Sequence, residues 1–123
     1  VRRGVMAELA KKRPTYNAGT TSATTVKPYF ILRFDTPIES DMFGRFTNFT
    51  VICYANKGNA LELDAICEEA KTALDKKRIS RTSDGTKFIP EFTGNTDDFT
   101  DDVLKALTKE MRFRVPAFGN EFM

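Results

Sequence analysis

Asp97, Asp98, Asp101 and Asp102 form the only dense carboxylate cluster in the chain. Carboxylate oxygens of this kind hold hard cations such as Ca²⁺ or Mg²⁺. The spacing lacks the ordered alternation of ligand positions found in an EF-hand loop. The cluster therefore reads as a solvated acidic loop, and its functional use would be a subunit contact or a DNA-repelling surface. Cys53 and Cys67 are the two cysteines. Two thiols without a histidine supply too few ligands for zinc. They read as small buried hydrophobes in a reducing compartment. A disulfide between them would need a close strand-to-helix approach that sequence does not guarantee.

The chain has no histidine, which removes the commonest general base, metal ligand and pH switch together. Serine, threonine and lysine are plentiful, yet none stands in a nucleophile elbow, a Gly-rich phosphate loop or an SxxK arrangement. No catalytic residue, metal ligand or cofactor-binding residue is assigned, no cofactor is expected, and an enzyme is not expected. Two basic clusters remain: Lys11, Lys12 and Arg13, and Lys76, Lys77, Arg78 with Arg81. Either would touch phosphate, but neither is interleaved with aromatic residues on a nucleic-acid module. Basic residues closing a helix also complement its dipole, which is the simpler account.

The elements that must position these residues fit one domain, residues 1–123. At 123 residues, with 41% hydrophobic and 29% charged side chains, the chain is long enough to bury one core. A net charge of +2 creates no global field toward nucleic acid or membrane. No apolar run approaches a membrane span and no signal peptide is visible.

Val5, Met6, Leu9 and Ala10 predict an N-terminal helix within residues 1–13, stopped by Pro14. Residues 14–25 are small and polar without apolar period, and read as a flexible segment or an arm that orders only against a neighbour. Residues 26–115 form the core. Pro28–Phe34 predicts a strand, followed by a loop holding Met42 and Phe43 among charges. Phe46–Ala55 predicts a second strand, with Phe49, Val51, Cys53 and Ala55 on one face and Phe46, Asn48, Thr50, Ile52 and Tyr54 on the other. Both faces carry apolar groups, so one is expected against a helix and the other partly covered by something else, such as a neighbouring subunit.

Asn59 with Glu62 predicts a capping box. Ala60, Leu63, Ile66, Cys67, Ala70 and Leu74 then form the apolar stripe of a helix ending in Lys76, Lys77 and Arg78. Asp84-Gly85 favours a hairpin-like reversal. Lys87–Thr93 reads as a strand placed at an edge or bulge by Pro90. Residues 94–102 read as an acidic, turn-rich loop. Residues 103–115 are open between a helix over their first half (VLKALTKEM) and a strand; the alternation of Leu107, Met111, Phe113 and Val115 favours one long final strand closed by Pro116, with a tail over 116–123. The fold class is α+β: an antiparallel or mixed sheet with one long helix packed across it and an N-terminal helix.

The PYFILRFD strand, the FTNFTVICYAN strand and the helix ALELDAICEEAKTALDKKRI resemble, in this order, the tail-terminator and neck (head–tail joining) proteins of long-tailed bacteriophages. The resemblance implies a virion protein that forms a ring, usually hexameric, at the top of the tail tube. Such a ring stops tube polymerisation and joins the tail to the head connector. Implied partners are further copies of the chain, the tail-tube protein and the connector or adaptor proteins. DNA would pass through the lumen without being read. Met42, Phe43, Arg45, Phe46 and Tyr54 are the candidate subunit interface, and Asp97, Asp98, Asp101 and Asp102 the candidate lumen-facing acids. Two alternatives stay open: another head- or tail-completion protein of the neck, and a small module that binds protein or nucleic acid through its sheet edge.

Overall fold

The structure is a computed structural model that describes residues 2–17, 25–34, 45–80 and 87–117. In chain order its elements are α1 (Arg2–Ala10), β1 (Thr15–Asn17), β2 (Tyr29–Phe34), β3 (Arg45–Asn56), α2 (Ala60–Leu74), β4 (Ile79–Ser80), β5 (Lys87–Phe88), β6 (Glu91–Asn95), β7 (Phe99–Asp101) and β8 (Ala106–Ala117). The main sheet runs β1-β2-β3-β8-β6, with β7 also paired to β8, and β4 and β5 form a separate two-stranded sheet. All pairings in the main sheet are antiparallel except β1 with β2, so the sheet is mixed and the domain α+β.

The strand periodicity places the core as expected. Phe49, Val51, Cys53 and Ala55 of β3 are buried with Phe30 and Leu32 of β2 and Met111, Phe113 and Val115 of β8. Leu63, Ile66, Cys67, Ala70 and Leu74 of α2 and Val5 and Leu9 of α1 join the same cluster. Phe49 anchors it, stacked on Phe113 at 5.3 Å and on Phe34 at 5.2 Å between ring centroids. On the opposite sheet face Tyr29 stacks on Tyr54 at 4.8 Å. Tyr29 and Ile31 are already buried in the single chain, so that part of the second face does not wait for a neighbouring subunit.

The start of α2 is specified locally. The Glu62 N–H donates to the Asn59 side chain at 3.0 Å. The Glu62 carboxylate reaches back past the cap, accepting from the Asn56 N–H at 2.8 Å and from its side-chain amide at 3.0 Å. Gly58 supplies the positive φ of +80° that the turn before the cap requires.

Several expectations change. α2 has 15 residues, about four turns, so it is of ordinary length rather than long. It ends at Leu74 with Asp75 as C-cap, and Lys76 follows at a φ of 59°. Lys76, Lys77 and Arg78 therefore lie beyond the helix, as Lys11 and Lys12 lie beyond α1. Thr15–Asn17, read as flexible, is a parallel edge strand against Phe30–Leu32, a pairing made between distant residues and invisible to local pattern. The strand read over Lys87–Thr93 is divided around Pro90: β5 pairs with β4, while β6 joins the main sheet. The acidic stretch contains β7. Pro116 does not end β8, which continues to Ala117 with Pro116 opposite Phe46. The Asp84-Gly85 reversal, the loop residues Met42 and Phe43 and the end of the tail (118–123) fall outside the described residues.

Candidate functional site

The antiparallel register brings three connections to one end of the domain. Tyr29, Tyr54, Thr108 and Phe99 form one lateral row across β2, β3, β8 and β7. Beyond that row lie the approach to β2, the β3–α2 turn and the β7–β8 turn. Lys57 of the β3–α2 turn donates to Asp102 of the β7–β8 turn at 3.0 Å, tying the two together. The N-terminus of α2 therefore opens at the same end as the acidic stretch.

The four aspartates are placed differently from one another. Asp97 and Asp102 are exposed. The Asp101 carboxylate accepts from the Leu104 N–H at 2.9 Å, fastening its own turn. Asp98 lies 3.1 Å from the Lys109 ammonium, which also approaches Asp64 of α2 at 3.6 Å. The hydrogen bond to Asp98 pushes the Lys109 ammonium above its ordinary range. Among the described residues no group of three or more cysteine, aspartate and glutamate side chains is placed to hold a metal ion.

The structure also brings Cys53 and Cys67 together. Cys53 is fully buried in β3, with Sγ 3.8 Å from Met111 Sδ. The neighbouring Cys67 thiol, with burial, pushes the Cys53 thiol up, while the Cys53 thiol and nearby Lys109 lower that of Cys67. Both cysteines are free. Cys67 lines a shallow cavity of about 320 Å³ with Lys109, Met111, Phe92 and Asp64. Sequence reading flagged the strand-to-helix approach these thiols require without locating it. One signal was present: Lys109 interrupts the apolar face of β8, a charge that needs partners.

Of the candidate subunit interface, Tyr54 is half-buried on the second sheet face, and burial beside Tyr29 pushes its phenol up. Arg45 and Phe46 open β3 opposite Ala117 and Pro116, at the end of the strand remote from Tyr54. These residues therefore do not form one compact patch, and Met42 and Phe43 lie outside the described residues.

A set that the sequence reading passed over stands out by exposure. Val26 is 79% exposed, Leu61 84%, Phe99 59% and Val103 82%, and all four lie at or just beyond the Tyr29–Tyr54–Thr108–Phe99 row. Leu61 was legible in principle, since it falls off the apolar stripe of α2. The opposite end of α2 is basic. Lys77 lines a surface groove with Lys11 and Lys12, and the Lys76 N–H donates to the Pro90 carbonyl at 2.8 Å, placing exposed Ile89 alongside.

No family model matches the chain and no curated protein matches it. Among solved structures, the fold matches a chain of the virion of a native gene transfer agent (GTA) particle. That match has a TM-score of 0.62 at 12% sequence identity and covers 94% of this chain and 84% of the other. The two chains thus share a fold across nearly their whole lengths. Among the described residues no helix is long and apolar enough to cross a membrane.

Proposed function

We propose that this chain is a structural virion protein, a ring component at the phage neck or the top of the tail, and not an enzyme. The observation that carries this reading is the fold shared with a gene transfer agent virion chain over 94% of this chain. The order of strand, strand and helix that resembles tail terminators supports it from the sequence side. The finer assignment is a hexameric ring that caps the tail tube, stops its polymerisation and meets the head connector. A chain whose two ends differ in charge suits a ring, because head-to-tail contacts close under rotation.

The edge-binding alternative is less well served. The β1 edge is three residues long, and β6 carries a register shift between Phe92 and Gly94. Short and bulged edges are poor templates for an added strand. Of the two roles open to the acidic stretch, subunit contact suits it better than lumen lining. A water-filled lumen would leave Leu61, Phe99 and Val103 in solvent, whereas a contact buries them.

A fold hosts more than one function, so the test is made on particles. Immunogold labelling and mass spectrometry of particles from cells carrying the gene should find the chain at the head–tail junction. Its absence from intact particles overturns the reading.

A further inference from the structure

The two ends of α2 differ in chemistry. At its N-terminal end stand Leu61, Phe99 and Val103, all more than half exposed, with exposed Asp102 beside exposed Lys57 and Lys105, while Asp97 lies further in along β8, next to the Thr96–Glu110 pairing. At its C-terminal end stand exposed Lys76, Lys77 and Arg78 beside exposed Ile89. The helix separates them by about 22 Å at 1.5 Å per residue. We infer that these are the two halves of one head-to-tail contact, in which the Lys76–Arg78 and Ile89 end of one copy docks on the Leu61, Val103 and Asp101–Asp102 end of the next.

Three arguments choose a second copy as occupant. Asp101 and Asp102 at one end and Lys76, Lys77 and Arg78 at the other are of opposite sign, which favours the meeting of unlike ends, with Lys57 and Lys105 offsetting part of the acidic charge. Each end carries exposed apolar side chains among charged ones, together with the methylene stems of the lysines, which is material for a contact. The Asp102–Lys57 pair is solvent-exposed and therefore weak, leaving the carboxylate available to a partner's cation. Because the patches differ, the contact is heterologous and continues from copy to copy until rotation closes it. The inference rests on the ring reading in one respect, that copies of this chain meet.

The test uses two variants of the full chain, with every substitution at an exposed position. The first is Asp102→Lys, and the second is Lys77→Glu with Arg78→Glu. Circular dichroism establishes that each folds, and light scattering over a concentration series measures association. Each variant alone should associate roughly a hundredfold more weakly than the parent, because like charges now face each other. An equimolar mixture should recover association, since every acidic end again finds a basic one. Carbodiimide cross-linking of the parent should join Lys76 or Lys77 of one copy to Asp102 of another, read by mixing isotope-labelled and unlabelled chains.

Recovery in the mixture with those cross-links supports the contact. Folded variants that associate like the parent, a mixture that stays apart, or cross-links confined to other surfaces overturn it. So does a parent that remains monomeric at every concentration. None of these outcomes bears on whether the chain is present in particles, so this inference and the virion reading fail separately.

Discussion

The Arg13 guanidinium holds the Glu69 carboxylate through two hydrogen bonds, Nε to Oε2 at 2.8 Å and Nη2 to Oε1 at 3.0 Å, across 56 positions of sequence. The pair clamps the chain leaving α1 to the middle of α2, directly before the β1 edge. Both side chains are about one-third exposed, so the pair fixes geometry more than it adds stability.

A double-mutant cycle of Arg13→Ala and Glu69→Gln should return a coupling of about 0.5–1 kcal/mol in urea denaturation. The hydrogen bond from Arg13 lowers the Glu69 pKa. Its contribution is therefore complete above the unfolded carboxyl value and lost as pH falls through the folded one. Glu69→Gln should remove that part of the acid-side loss of stability, and an unchanged pH profile would refute the assignment.

Phe113 lies between Phe49 and Phe92, with centroids at 5.3 and 5.6 Å, and is almost wholly buried. Phe113→Ala should cost about 3–5 kcal/mol through lost burial and the cavity left behind. Phe113→Leu should cost less. Chemical denaturation measures both, and equal losses would contradict the stacked geometry.

Asn59→Ala should destabilise by about 1 kcal/mol through loss of the cap on the Glu62 N–H. Gly58→Ala should cost a similar amount, about 1 kcal/mol, because a side chain is disfavoured at a φ of +80°. A neutral Gly58→Ala would mean the turn relaxes to negative φ.

The thiols should differ in reactivity. Cys67 has the lowered pKa and lines the cavity, while Cys53 is fully buried with a raised one. Alkylation of native protein should therefore modify Cys67 first, at a rate rising with pH as its thiolate forms. Cys67→Ser should leave Cys53 unmodified until the chain unfolds. Peptide mapping by mass spectrometry reads both, and early modification at Cys53 would refute the placement.

Local pattern by itself determined a good part of this protein. The two-residue alternation of Phe49, Val51, Cys53 and Ala55 and of Met111, Phe113 and Val115 located the buried sheet face. The 3.6-residue stripe from Leu63 to Leu74, with Asn59 and Glu62 before it, located α2 and its cap. These features are legible because side-chain direction and helix capping depend on neighbours a few residues away. Only the tertiary structure decided the rest. The parallel pairing of Thr15–Asn17, the division of the chain around Pro90 and the meeting of Cys53 with Cys67 join distant segments through backbone pairing or packing. The gathering of Val26, Leu61, Phe99 and Val103 at one end follows from strand register. A sequence shows that each of these side chains is apolar, and only the assembled sheet shows that none of them found a place inside.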